Sequence, residues 1–421
     1  MLSLQNYVRG LQALVSDPQR SSQRVQAALD GEPFEVLRSV EPIGQLRADG
    51  VFFSGSTLAR RVLQGIGPVV ASSTAALDPA CGTGDLLVAF SARLPIKGTL
   101  SETLKVWGGQ IYGFDIHQTF VRAARTRVAL SAIARGTIVD CDAAEIQRLL
   151  PGIRVGSSLR EIRAFRGASL VLMNPPFSRM AAPADCVWAT GGITAAALFL
   201  EHALSNSRPG TSVVAILPEV LRSGSRYGRW RKVVEGLADV TRIETVGQFS
   251  PTIDIDVFLL VATTGQAKVS KSVAWVPKEI GARNVGTICD ISVGALVPHR
   301  APRRGPWRST VSTGDLPPWN TVREANQRRR FSGTVVCGPF VAVRRTSRPG
   351  STRVLATLVA LDGPVAVENH LIVLKPKDGR LSTCRWLLKA LKSPSVTEWL
   401  DTRIRCRHLT VGALSEVPLT K

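Results

Sequence analysis

Between about residues 50 and 265 the apolar positions follow two rhythms in turn. Short aliphatic runs of the kind buried on both faces of a sheet alternate with longer stretches whose apolar positions recur three and four apart. "STLARRVLQGI" has the helical spacing. "AALDPACGTGDLLVAFSARL" and "QIYGFDIHQTFVRAARTRVAL" each read as strand, turn and helix, and "GTIVDCDAAEIQRLL" repeats the pattern. "SLVLMNPPF" is a strand, "TAAALFLEHAL" a helix and "TSVVAILP" a strand, and "DVFLLVATT" closes the run. Such alternation predicts an α/β fold with a mostly parallel sheet covered on both faces by helices. Ligands of such sheets bind beyond the carboxyl ends of the strands.

The flanks differ. Residues 1–45 carry helical spacing (Val8, Leu11, Leu14, Val15, then Val25, Ala28, Leu29) and no recognisable chemistry, and are read as a helical extension. The catalytic α/β domain is placed at 46–265. Beyond it the rhythm is lost: Pro, Gly and Arg dominate "PHRAPRRGPWRST" and "RRTSRPGST", with short strand candidates in "GTVVCGPFVAVRR" and "PVAVENHLIVLKP". Two helices follow, the second with Ser393 as N-cap and Pro394 at its first position. Residues 266–421 are therefore expected to form a second, β-rich and loop-rich domain.

Charge separates the two regions more sharply. The net charge is +21. Residues 1–264 hold 27 Lys and Arg against 22 Asp and Glu, whereas residues 265–421 hold 26 against 10. Most of the late excess is arginine, whose planar fork suits phosphates and guanine edges. A basic excess gathered in one domain points to a polyanion, most often nucleic acid. No apolar run is long enough to span a bilayer, and the start lacks a signal peptide's apolar stretch, so a cytoplasmic protein without membrane partners is expected. The seven cysteines are scattered and never spaced as CxxC, which argues against a zinc site or a disulfide framework.

Three strand ends carry candidate chemistry. In "LDPACGTGDLL" a strand stops at Asp78, and Gly82 and Gly84 allow a ligand close to bare backbone before a helix begins. The third glycine of a dinucleotide fingerprint and the Lys-Ser/Thr of a P-loop are both missing. Asp78 and Asp85 flank the turn, which suits a cationic ligand better than a phosphate. In "GFDIHQ", Asp115 ends the next strand, where an acid can accept both hydroxyls of a ribose. In "LVLMNPPFSRM" a buried strand stops on Asn174-Pro175-Pro176-Phe177, because proline removes the ladder donor. The Asn174 side-chain oxygen and the Pro175 carbonyl can both accept hydrogens from one planar amine. Two such acceptors favour a tetrahedral nitrogen and receive its developing positive charge, and Phe177 offers a stacking platform for a planar base.

With these motifs in place the sequence resembles the N6-adenine DNA methyltransferases that use S-adenosylmethionine (SAM), over roughly residues 50–265. It looks like the gamma arrangement of restriction-modification enzymes, in which target recognition follows catalysis. The resemblance implies a Rossmann-like class I methyltransferase sheet with a C-terminal recognition domain. It implies methyl transfer from SAM to a flipped adenine in double-stranded DNA, within a restriction-modification or phage-defence system whose nuclease or other subunit is a separate chain. "DPACGTGD" resembles the first SAM motif, so Asp78, Ala80, Cys81, Gly82 and Gly84 should line the methionine end. Asp115 matches the ribose-binding acid. In "IVDCDAA" an acid near the adenine of SAM is expected, Asp142 in preference to Asp140. Asn174, Pro175, Pro176 and Phe177 match the catalytic (D/N)PP(Y/F) tetrapeptide. "GVFFSGSTLARRVLQ" resembles the element that closes over SAM, with Ser54-Gly55 in place of Thr-Pro. "VGQFSPTIDIDVFLLVA" resembles a late motif whose aromatic, here Phe249, stacks on the flipped base. "LRSGSRYGRWRKVVE", with Arg226, Arg229 and Tyr227, looks like a phosphate-backbone contact, and Arg303, Arg304, Arg344 and Arg345 supply candidates in the basic domain. "HLTVGALSEVPL" is similar to the closing segment of recognition domains. The same tetrapeptide chemistry serves cytosine N4, RNA amines and protein glutamine, and a non-catalytic DNA-binding subunit would share the scaffold.

Overall fold

The structure is a computed structural model that describes residues 2–30, 32–40, 55–64, 66, 74–250, 253–265, 273–277 and 283–419. The chain divides into two compact units, Met1–Leu221 with Tyr227–Val273, and Arg222–Arg226 with Ala274–Lys421.

The first unit is built on nine strands: β1 (Ala76–Asp78), β2 (Ile111–Asp115), β3 (Ile153–Val155), β4 (Leu170–Met173), β5 (Arg179–Ala181), β6 (Gly192–Thr194), β7 (Ser212–Pro218), β8 (Ala238–Ser250) and β9 (Ile253–Thr264). Seven of them form one sheet in the order β3-β2-β1-β4-β7-β9-β8. β3, β2, β1, β4 and β7 run parallel, whereas β9 is antiparallel to both β7 and β8. This is the class I methyltransferase sheet that the resemblance implies. Its central strands are aliphatic throughout because both faces are covered: Leu170–Met173 and Val213–Leu217 are buried without alternation. The order turns back between β1 and β4, and this reversal opens the crevice in which ligands of such sheets bind. β5 and β6 pair as a separate hairpin immediately after the Asn-Pro-Pro-Phe corner.

The N-terminal helices Leu2–Ser16 and Ser22–Leu29 are built into this unit. Tyr7, Val8, Leu11, Leu14, Val15, Val25 and Ala28 share one buried core with the sheet's helical layer. A buried cation ties them to the glycine turn. Arg127, on the helix Gln118–Ile133, has no exposed surface. It donates to the carbonyls of Ala28 at 2.7 Å, Leu29 at 3.2 Å and Thr83 at 2.7 Å, and pairs with Asp85 at 2.7 Å.

The second unit is layered. β10 (Cys289–Val293), β11 (Trp307–Val311), β12 (Thr321–Val322), β13 (Gln327–Arg330), β14 (Val336–Cys337), β15 (Phe340–Arg344), β16 (Ala356–Val359), β17 (Pro364–Val367) and β18 (Leu371–Pro376) make two sheets, β10-β18-β15-β16-β12 and β13-β11-β17-β14. Alternation assigns the faces of the five-stranded sheet. Val341, Val343, Ile372 and Leu374 pack with the helices Leu381–Leu391 and Pro394–Arg403. Phe340, Ala342, Leu371 and Val373 pack with Val311, Val365 and Val367 of the four-stranded sheet. All seven cysteines are free thiols. Among the described residues no helix is long and apolar enough to cross a membrane.

Candidate active site

The end of β1 turns sharply. Gly82 and Gly84 take the left-handed conformation at φ +52° and +89°, which other residues rarely adopt. Gly84 is further constrained from outside, since a Cβ there would stand 2.9 Å from the Cβ of Ala124. The turn is held from within by the Gly84 N–H to the Cys81 carbonyl and the Ala80 N–H to the Asp78 carboxylate, at 2.8 and 3.1 Å. It is held from β2 by the Cys81 N–H to the Phe114 carbonyl at 2.8 Å and the Gly82 N–H to the Asp115 carboxylate at 3.1 Å. Asp115 therefore both braces the glycine turn and ends its own strand, where it also accepts the His117 N–H at 2.8 Å.

These strand ends open on one cavity of about 340 Å³. Asp78, Ala80, Cys81, Gly82, Asp85 and Asp115 line one part of it, and Asn174, Pro176, Ser178 and Met180 line another. The glycine turn and the Asn-Pro-Pro corner thus face the same space, which follows from β1 and β4 being neighbouring parallel strands whose carboxyl ends lie side by side. Three carboxylates border the cavity. Burial pushes the Asp78 carboxyl up to about 8, with the negative charges of Asp115 and Asp85 adding to it against the Ala80 hydrogen bond. Burial, the main cause, disfavours any isolated charge there, whereas the smaller share that comes from Asp115 and Asp85 would be relieved by a cation.

Several expected residues lie elsewhere. Pro175 is buried, and Phe177 is half-buried and packs on Phe249, their rings meeting edge to face with centroids 6.0 Å apart at 87°. That arrangement is not a ready parallel slot for a base. Ser54 lies outside the described residues; its neighbour Gly55 donates its N–H to Asp85 at 2.9 Å. Asp142 does not line the cavity. Its side chain accepts the Glu145 N–H at 2.7 Å and caps the helix Ala143–Leu149. Asp140 is committed to the Ser101 N–H and hydroxyl at 2.8 and 2.6 Å. The cause is a shift of the third strand. It is Ile153–Val155, not the stretch around Ile138, so the loop at its carboxyl end is Gly156-Ser157-Ser158-Leu159, which does line the cavity. Ile116, His117 and Phe120 line it from the β2 side, and Phe199 joins them. A strand followed by Gly-Ser-Ser was the available signal for this wall, but it bears no charge to draw attention.

Among the arginines, Arg226, Arg229, Arg303 and Arg304 are exposed. Arg344 and Arg345 are half-buried, and Arg344 donates to the Leu316 carbonyl at 3.1 Å. Tyr227 is buried, its hydroxyl accepting the Thr194 N–H at 3.0 Å, so it is a packing residue. Among the described residues no group of three or more His, Cys, Asp or Glu side chains could hold a metal ion.

A family model described as N-6 DNA Methylase matches residues 45–278. None of the curated proteins compared is similar to the chain. Similar solved structures include the DrdV–DNA complex (10% identity, 96% of this chain and 58% of that one, TM-score 0.50). They also include the type IIG restriction endonuclease BpuSI (14%, 91% and 60%, TM-score 0.45). A third is the type I restriction-modification methyltransferase subunit from Streptococcus thermophilus (16%, 56% and 48%, TM-score 0.36). The chain spans about half to three fifths of the length of these structures.

Proposed function

Because the chain belongs to the N-6 DNA methylase family, we propose that it transfers the methyl group of SAM to N6 of an adenine extruded from duplex DNA. The observation that carries the reading is the single cavity shared by the glycine turn and the Asn174-Pro176 corner. SAM, when bound, supplies an electrophilic methyl group on a cationic sulfur. The residues present suit it. Asp78, Asp85 and Asp115 bring three carboxyl groups to the glycine side of the cavity, Asp85 already paired with Arg127 and Asp78 able to ionise beside a bound cation, and the backbone of Gly82 lines the same wall. Of the residues lining the cavity, Asp115 is assigned to the ribose, Ile116 and Phe120 to the faces of the purine ring, and Ser157 and Ser158 to its edge.

On the other side, Asn174 and the Pro175 carbonyl are assigned to the adenine amine. An exocyclic amine is a weak nucleophile because its lone pair is delocalised into the ring. Two acceptors on its hydrogens draw the nitrogen towards a tetrahedral shape and offset the positive charge that grows on it. The strand-ending prolines keep these acceptors from rotating away, so the orientation is fixed before the base arrives. Neither acceptor is basic enough to keep the amine's proton, which passes to water. Phe177 and Phe249 are assigned to the base. Their edge-to-face contact requires one ring to swing aside when a base enters. The basic second unit is assigned to the duplex.

Mass spectrometry of nucleosides from DNA incubated with the protein and SAM tests this. N6-methyladenine is the expected product. N4-methylcytosine, or label appearing in RNA or protein and not in DNA, would overturn the choice of substrate.

A further inference from the structure

β13 is an edge strand of the four-stranded sheet and pairs antiparallel with β11, so that Trp307 faces Arg330, Arg308 faces Arg329 and Ser309 faces Arg328. Side chains opposite one another in such a pair share a face. The face that carries Ser309 also carries Val311, which is buried against the five-stranded sheet. Two positions further out the same face passes the limit of that core, and there Trp307 is 62% exposed. Arg328 and Arg330 flank it from the partner strand, both exposed. A largely exposed indole on the apolar face of a sheet, directly opposite Arg330 and diagonal to Arg328, with the two arginines about 7 Å apart along their strand, is an unusual choice for a surface that meets only water.

The other face explains why the ribbon keeps its shape. Arg329 donates to the carbonyls of Pro298 and Ala301, which fastens β13 to the preceding loop. On the Trp307 face, Arg330 donates its Nε–H to the Gly305 carbonyl at 2.9 Å and stays exposed. A cleft of about 280 Å³ runs beside the ribbon, lined by Trp307, Arg303, Arg328, Arg329 and Arg330, with Glu368 at its border. That carboxylate is already engaged by the Thr313 N–H at 2.9 Å.

We propose that this β11–β13 ribbon is a duplex-DNA contact surface, with Arg328 and Arg330 on phosphates and Trp307 covered by the sugar-phosphate edge between them. The occupant follows from the charge: the exposed Arg303, Arg328 and Arg330 beside one exposed ring match a polyanion with regularly spaced phosphates and repel a basic partner. The proposal rests on the duplex-DNA reading given above but singles out residues that nothing in the motif pattern marks.

Anisotropy of a labelled duplex bound by the full chain, from 50 to 200 mM salt, tests it. Removing two phosphate contacts lowers the slope of log K against log salt by about 1.8, and so weakens binding at 0.1 M salt about 50-fold. That is the expectation for Arg328→Ala with Arg330→Ala. The corresponding lysine pair restores the slope if charge is the cause. Trp307→Ala is expected to weaken binding about tenfold with the slope unchanged. Thermal unfolding of each variant separates a lost contact from a lost fold. An alanine pair that binds duplex with the slope and affinity of the original chain overturns the ribbon, as does a pair that loses RNA binding and keeps duplex binding. If the original chain binds duplex through the ribbon but transfers no methyl group to it, the enzymatic reading fails and the ribbon stands.

Discussion

Asp78 shows how one side chain carries both a cost and a function. In the folded protein its carboxyl holds a proton up to about pH 8, whereas in the unfolded chain it gives the proton up near 3.8. Between those values the unfolded state binds fewer protons, so the stability of the ligand-free protein should fall as pH rises through that window. Asp78→Asn removes the dependence. Denaturant titrations at pH 5 and pH 8 should show the variant gaining on the original chain by roughly 2 kcal/mol or more at the higher pH. The same substitution should abolish SAM binding. Because a cationic ligand favours the ionised carboxylate, SAM should bind more tightly from pH 6 to pH 8 and release a proton. Calorimetry in buffers of different ionisation enthalpy measures that release, and its absence would remove Asp78 from contact with the cation. At Gly84 the steric argument is equally local. Gly84→Ala combines a left-handed backbone with a 2.9 Å clash against Ala124, and a loss of about 1–3 kcal/mol is expected in chemical unfolding.

Elements differed in how plainly the sequence marked them. β4 and β7 were legible because both faces are buried, so their aliphatic runs have no polar interruption. β3 was not, since Ile153 is its one buried residue and Arg154 and Val155 are exposed. The more apolar "TIV" upstream drew the strand to itself, although Ile138 is 68% exposed and makes only an isolated bridge to Thr99. That displacement draws the expected contact to Asp142 and away from Ser157 and Ser158, which line the cavity. β8 escaped for a different reason, because three register shifts along its pairing with β9 break the alternation that would have announced it. The N-terminal helices were legible as helices but not as parts of the first unit, because they join it through a shared core and through one cation 99 residues away from the carbonyl of Ala28. Arg127→Met would take the cation from the Asp85 carboxylate, leaving it the Gly55 N–H, and the donor from the carbonyls of Ala28, Leu29 and Thr83. A destabilisation of about 3–5 kcal/mol is expected on thermal or denaturant unfolding, with Arg127→Lys recovering part of it. A variant as stable as the original chain would show that the N-terminal helices do not depend on this tie.

At the scale of the whole molecule, the chemistry and the charge are divided between two units. The first brings the carboxyl-lined glycine turn and the Asn-Pro-Pro corner to one cavity, and the second holds most of the basic excess. If the second unit neutralises about six to ten phosphates, affinity for duplex DNA should fall by on the order of 10³-fold or more between 50 and 200 mM salt. A flat response would take the arginines out of that role. The central claim concerns the cavity itself, and single-turnover methyl transfer from labelled SAM to duplex DNA tests it most directly when the original chain is compared with Asn174→Ala. The account predicts a rate lower by about 10²–10³-fold in the variant, with SAM and duplex affinities within about threefold of the original. Equal rates in the two proteins would contradict it.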